Sequence, residues 1–354
     1  MPSSDTVIAY DLTPRGAMRF GERGAGVETA QDTMHADTLF SAICFGVLES
    51  AGTSRLQEML RAFDEAPPFL ISSLLPRVGQ VRFLPRPPLA PRAAPASDDP
   101  AASGARKAFK KLRHVSWGLF GALAANPTLL ADDGTAAIGP GGDAWYLPAE
   151  REALGDATHE SSWWKLVRRP RVTLDRQTGK STLYFVGASH YAPGAGLTLL
   201  VRWLDPAWRT TIECALDVLG DSGIGGERSA GYGQFTCAPG VAVTLPGPSS
   251  SPHFMTLAPF CPRKEELEGG LLGEGASWDL VTRGGWVGAS GSGSRRHSPV
   301  TMLAPGSILR LPAKAGRATL GQLLDVTPSE SNMAFSVRRY SFAFPIPVTI
   351  PEAS

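Results

Sequence analysis

Between Gly220 and Gly233 the chain reads Gly-Asp-Ser-Gly-Ile-Gly-Gly-Glu-Arg-Ser-Ala-Gly-Tyr-Gly, with six glycines. Without Cβ atoms such a stretch adopts positive φ freely and lets backbone amides approach and converge on an anion. Gly223, Gly225, Gly226 and Gly231 are the candidate close-approach positions. Arg228 adds a fixed, fork-shaped charge, Ser229 a small donor and Tyr232 a ring on which a base could stack. The stretch lacks the Gly-Lys-Ser/Thr ending of a nucleotide-binding phosphate loop, and it follows a helix instead of opening one after a strand. Nucleoside-triphosphate binding is therefore rejected here. A hairpin-like connection without a ligand suits the same composition, so both readings stay open at this point.

Similar chemistry occurs twice more. Arg15, Arg19 and Arg23 sit beside Gly16, Gly21 and Gly24. A Gly/Ser loop at 284–297 ends on Arg295, Arg296 and His297. Two basic runs accompany these loops. In the first, helical spacing puts Lys107, Lys110, Lys111 and His114 on one face. The second holds Lys165, Arg168, Arg169 and Arg171. Runs of this kind are usually solvated surface. His35 and Asp37 open a helix, where Asp37 suits an N-cap or first-turn acid. A histidine beside an acid also has the chemistry of an acid/base pair for RNA cleavage. No Ser-His-Asp ordering or metal-ligand cluster accompanies it.

The elements that must position these residues alternate in type. Val7–Leu12 alternates as a strand. A helix from about Asp37 to Glu49 carries two apolar stripes, Leu39/Ile43/Val47 and Phe40/Cys44/Leu48, the pattern of a helix packed broadly on a sheet. Gly52 suits its stop, and Ser54 with Gln57 has capping-box spacing for a second helix bearing Leu56, Met59, Leu60 and Phe63. Pro67-Pro68 ends that helix, and Phe69–Leu75 reads as a strand. Ser181–Ala188 and Leu197–Trp203 also read as strands. Asp205-Pro206 caps a helix bearing Ile212, Ala215, Leu216 and Leu219, and after the glycine loop comes a short strand, Gln234–Cys237. The order strand, strand, helix, loop, strand predicts a helix-backed antiparallel sheet, hence an α+β fold. Five strand-like pieces follow: Phe254–Phe260, Trp278–Arg283, Val300–Leu303, Ile308–Leu311 and Tyr340–Phe344.

Length and composition bound the rest. At 354 residues, two domains are the natural expectation, since single domains run to about 100–200 residues. The division is placed at 1–245 and 246–354, at the Pro246–Pro252 linker, with a Pro/Ala/Ser-rich flexible insertion at about 85–106. Net charge is +1, without the bulk basicity of most nucleic-acid binders, so any such site must be a local cluster. The four cysteines form no CxxC pair, and Cys44 and Cys214 are expected as buried thiols. No signal peptide is seen, and no run approaches the roughly 18 apolar residues of a membrane span. A soluble, intracellular, cytoplasmic protein without metal or cofactor is expected.

Four blocks in this order resemble one family: Phe20-Gly-Glu-Arg-Gly24, His35-Ala-Asp-Thr-Leu-Phe-Ser-Ala-Ile43, Pro67-Pro-Phe-Leu-Ile-Ser-Ser73 and Gly223-Ile-Gly-Gly-Glu-Arg-Ser-Ala-Gly-Tyr-Gly233. That family is the RAMP superfamily of CRISPR proteins, within it the Csm-type subunit that caps the guide's 5′ end in type III-A effector complexes. The resemblance implies two ferredoxin-like (RRM-like) domains and a non-catalytic role in antiviral defence. It implies binding of the 5′ repeat-derived handle of CRISPR RNA, docking to a large polymerase-like signalling subunit and to a backbone RAMP subunit, and only indirect engagement of target RNA. Residues matching the family's RNA-facing loops are Arg19, Gly21, Arg23, His35 and Gly223–Gly233, with Arg228 and Ser229 foremost. Lys107, Lys111, Arg295 and Arg296 are added as RNA contacts from the basic run and third loop. No RNP1 aromatic motif is present, so a loop grip on the backbone is expected instead of stacking on the sheet. The alternative is a metal-independent RNA-processing endoribonuclease of the same superfamily with His35 as acid or base. A phosphate- or nucleotide-binding enzyme using the glycine loop is a third reading.

Overall fold

The computed structural model describes residues 6–21, 26, 28–88, 107–125, 135–287, 296–312, 319–328 and 335–350. The sheet that organises the first part is antiparallel, as the alternating elements require. Next to one edge, β1 (Val7–Pro14) pairs with β10 (Ala195–Trp203) in the register Val7↔Arg202 to Leu12↔Leu197. On β1's other side pair β11 (Phe235–Cys237) and β12 (Val241–Val243). Beyond β10 lie β2 (Phe69–Ile71) and the hairpin β3 (Leu75–Val78)–β4 (Val81–Pro85). The outer strands are β5 (His114–Ser116), β6 (Ala137–Ile138) and β7 (Ala144–Tyr146), where β5–β7 is a parallel pair.

Helix α1 (Ala36–Glu65) lies on this sheet and bends at Gly52, whose φ of 80° breaks it into the two helices expected on either side of that glycine. A short helix α2 is described over 107–111, followed by α3 (Trp117–Ala125). Helix α4 (Arg209–Ser222) packs on α1 at Gly46, where a Cβ would lie 2.7 Å from the Ala215 carbonyl. Arg55, late in α1, bonds Thr211 at the start of α4, while Gly46 meets Ala215 and Leu219. The two helices are therefore antiparallel, and α1 begins at the end where α4 stops. Glycine allows this close approach, and the apolar stripes of both helices (Leu39, Phe40, Ile43, Val47; Ile212, Leu216, Leu219) fill the space above the sheet.

The C-terminal part is mainly strands: β13 (His253–Thr256), β14 (Leu280–Arg283), β15 (Val300–Leu303), β16 (Ile308–Arg310), β17 (Gly321–Asp325), β18 (Arg338–Phe342) and β19 (Pro345–Pro347). They form the sheet β16-β13-β19 and the hairpins β14–β15 and β17–β18. The helix α5 (Lys264–Glu268) is short. Among the described residues no strand pair joins 6–243 to 253–350, but side-chain packing does. Tyr340 and Phe342 stack with Phe40 and Phe63, and the Ile71 amide donates to the Tyr340 hydroxyl (3.0 Å).

The Pro/Ala-rich insertion falls mostly outside the described residues. The strand expected over Phe254–Phe260 stops at Thr256. Cys214 is exposed on α4, contrary to expectation, because it lies off the Ile212/Ala215/Leu219 stripe. Cys44 packs against the core, and burial pushes its thiol up to about 12. Among the described residues, no helix is long and apolar enough to cross a membrane.

Candidate nucleic-acid interface

The glycine loop is welded to the segment after β1. Helix α4 ends at Gly223 (φ 79°), whose amide bonds the Leu219 carbonyl (2.8 Å). Ile224 then turns inward and its amide reaches the Gly233 carbonyl, while the Gly233 amide reaches Ala17. The Gly226 amide donates to the Arg19 carbonyl (2.8 Å). A Cβ on Gly225 would sit 2.4 Å from that carbonyl, and one on Gly233 would sit 2.1 Å from the Ile224 carbonyl. Close backbone approach and positive φ at Gly223, Gly225, Gly231 and Gly233 thus explain four of the glycines. The expected convergence of amides on an anion is corrected by this geometry. The amides of Gly223, Ile224, Gly226, Ala230, Gly231, Tyr232 and Gly233 are already bonded within the protein.

What the loop offers outward is its tip. Arg228–Ala230 form a tight turn between two left-handed residues, Glu227 (φ 60°) and Gly231 (φ 82°), and Arg228, Ser229 and Gly231 are exposed. The Arg228 guanidinium lies over Phe45 of α1, 5.1 Å from the ring centre. Arg19 runs beside Gly226 and Gly21: a Cβ there would lie 2.7 Å and 3.7 Å from its guanidinium. Gly226 makes room for the arginine, whereas a side chain at Gly21 would meet it at ordinary contact distance. Tyr232 is corrected as a stacking ring: only 4% of it is exposed, because it is covered by its surroundings, with Arg171 5.9 Å from its centre.

That arginine belongs to a ribbon the sequence showed only in part. β8 (Trp164–Leu174) and β9 (Ser181–Tyr191) pair along their whole length, Trp164↔Tyr191 to Leu174↔Ser181. Alternation puts Lys165, Arg169 and Arg171 on one face with His190 and Tyr184. The contact of Arg171 with Tyr232 turns that face toward the loop. The other face carries Pro170, Val172, Leu174, Leu183 and Phe185, with Leu174 67% exposed. The His190 pKa is lowered by burial and by the Arg169 and Lys165 charges.

His35 is the N-cap of α1 through its backbone, with its carbonyl accepting the Thr38 and Leu39 amides, and lies at the end where the loop begins. Its expected partner is committed elsewhere. Asp37 is buried against Arg283 (3.0 Å) and Arg339 of the C-terminal part, and Arg283 also donates to Thr38 (2.8 Å). Burial would raise the Asp37 carboxyl, but the two guanidinium charges overcome that and hold it below the usual carboxylate range. The pairing of His35 with Asp37 as acid and base is therefore corrected. Asp37 is a first-turn acid that ties α1 to the C-terminal strands. Arg339 continues to the His297 ring (2.6 Å), whose pKa is lowered by burial and by Arg339.

The remaining candidates lie apart. Lys107 and Lys111 are exposed on α2, but the expected basic face breaks at residue 112. His114 is buried in β5, 3.6 Å from Asp32, which also takes a two-pronged bond from Arg113 (2.9 Å each). Tertiary pairing with Asp32 and β4 overrides the helical spacing. Arg296 is exposed over Trp286. Arg23 and Arg295 lie outside the described residues. Among the described residues no group of His, Cys, Asp or Glu could hold a metal.

Residues 249–348 match the CRISPR Csm4 C-terminal domain family. Over nearly its whole length the chain is similar to the "CRISPR system Cms protein Csm4" of Thermococcus onnurineus, 26% identical over 352 residues that cover 98% of both. The protein of the same description from Mycobacterium tuberculosis is 28% identical over 343 residues, 95% of both. The chain is thus similar to Csm4 proteins over nearly its whole length. Two crystal structures share its fold. A Csm3–Csm4 subcomplex of the type III-A CRISPR-Cas interference complex matches at a TM-score of 0.65, with 16% identity, 97% of this chain and all of that one. A Csm1–Csm4 cassette in complex with cA4 matches at 0.61, with 22% identity, 98% of this chain and all of that one. The Csm4 likeness extends into the C-terminal third, where the four sequence blocks offered no anchor.

Proposed function

We propose that this chain is a structural, non-catalytic subunit of a cytoplasmic type III-A CRISPR effector, holding the 5′ handle of the guide RNA. It bridges a large signalling subunit and a backbone RAMP subunit, the partners that the similar crystal structures are described with. The observation that carries the handle reading is the rigid loop tip. Arg228 and Ser229 stand exposed on a turn whose backbone is bonded to Arg19, with the basic face of β8–β9 alongside. A preorganised guanidinium and hydroxyl suit a phosphate, and the hairpin's Lys165, Arg169 and Arg171 continue the positive surface along a strand of RNA. His35, Lys107, Lys111 and Arg296, with Arg23 and Arg295, remain proposed contacts of the same guide. Because net charge is only +1, firm RNA binding belongs to the assembled particle.

The test is assembly of the complex with Arg228→Ala/Ser229→Ala and a salt titration of guide retention. The double variant should assemble and release its guide at lower salt than the wild type. Unchanged retention would remove the loop from the RNA site.

A further inference from the structure

We infer that Trp286, backed by Arg296, is a stacking platform for one unpaired base of the RNA whose backbone the glycine loop holds. This rests on the handle-binding reading above and adds a residue that none of the sequence blocks contains.

Trp286 is 59% exposed, an unusual state for the side chain with the largest apolar surface. Its ring is also held in place. Trp286 and Arg296 form an antiparallel bridge, and the Arg296 guanidinium lies 4.7 Å from the indole centre. Next along, the His297 amide donates to the Gly285 carbonyl (3.2 Å). A Cβ on Gly285 would lie 2.8 Å from the His297 ring, so glycine is needed there for the ring to close over the chain. His297 meets Arg339, Arg339 meets Asp37, and Arg283 bonds Asp37 from three residues before Trp286. Both ends of the bridge are thereby tied to the first turn of α1, two residues from His35 and at the end where the loop 223–233 begins.

A fixed aromatic plate with a cation against it is the chemistry that takes a base and its phosphate together. Stacking is tolerant of base identity, since every base has a π-face, and the guanidinium adds attraction to the ring and to the backbone. An aromatic–arginine pair also occurs at protein interfaces. The tie to the first turn of α1, at the end where α4 passes into the loop, favours RNA.

The experiment is a position scan of 2-aminopurine through the 5′ end of the guide, in the complex assembled with wild-type chain, Trp286→Ala, Trp286→Phe or Arg296→Ala. Fluorescence and guide affinity are read together, with thermal melting of each variant as the folding control. The wild type should quench one position, and Trp286→Ala should abolish that quenching and weaken binding roughly 5- to 150-fold, the range measured for loss of one base–aromatic stack. Trp286→Phe should retain most of both, and Arg296→Ala should weaken both less than Trp286→Ala. If no position depends on Trp286 while Arg228→Ala still weakens binding, the platform is wrong and the loop reading stands. If Trp286→Ala releases a protein subunit and leaves guide affinity intact, the ring is a protein contact and the inference is overturned. If the wild-type complex holds no guide, the handle reading and the platform fall together.

Discussion

The glycine loop and the β8–β9 hairpin reach the same surface by opposite physical means. The loop has one outward arginine, and its backbone is consumed by internal bonds to Leu219, Ala17 and Arg19. The hairpin has Lys165, Arg168, Arg169 and Arg171 on a ribbon that, among the described residues, pairs with no third strand beyond an isolated bridge of Met18 to Ser189 near its root. Isolated two-stranded ribbons are marginal in water. The loop therefore supplies position and the hairpin supplies charge. In the loop, sequence changes should register as lost fold or lost geometry. In the hairpin, they should register as changed salt dependence.

Asp37→Ala should have the largest effect, about 3–5 kcal/mol of lost stability by chemical denaturation, because it strands the buried guanidiniums of Arg283 and Arg339. A loss under about 1 kcal/mol would mean that the tether between the two parts is not coupled to folding. Gly233→Ala comes next. Its Cβ meets the Ile224 carbonyl at a φ of 86°, so about 2–3 kcal/mol should be lost, and guide retention with it. A variant of wild-type stability would show that the loop is loose instead of welded. Arg169→Ala/Arg171→Ala should leave stability within about 1 kcal/mol, since Arg169 is exposed and Arg171 gives up only its contact with the Tyr232 ring. It should lower the salt slope of guide binding by about 1.4, two phosphate contacts on a single strand. An unchanged slope would take the hairpin out of the RNA path.

The smallest expected effect is on pH dependence. Burial and the Arg339 charge hold the His297 pKa below its unfolded value. Between the two values the unfolded chain binds more protons, so stability rises with pH and falls as pH drops from neutral through about 6.5. His190 acts in the same direction on the hairpin. His297→Gln should flatten the acid side of a melting-temperature profile relative to the wild type. An identical profile would show that the His297–Arg339 contact does not titrate with folding.

Much of the first part was legible because its signals are local. The α1 stripes, the break at Gly52 and the Asp205-Pro206 cap each depend on a few neighbouring residues. β8 was read only as a charge run. Both its faces are largely exposed and Pro170 interrupts it, so it has no buried-face alternation to betray a strand. Trp286 gave no signal either, since a lone tryptophan beside glycines reads as loop. His114 misled because helical spacing continued in the sequence after the helix had ended.

Sequence alone determined most element types along the first two-thirds, the four family blocks, and the choice of Arg228 and Ser229 within a glycine-rich stretch. Helix periodicity, caps and turn residues act over a few residues, so a linear chain displays them. Tertiary structure alone decided that Asp37 is locked between Arg283 and Arg339, that Tyr232 is buried, that the loop's amides are already bonded, and that Arg171 and Arg19 flank its tip. Those outcomes join residues tens to hundreds of positions apart. Whether a charge is paired, a ring covered or an amide free depends on which distant partner the packed fold brings against it.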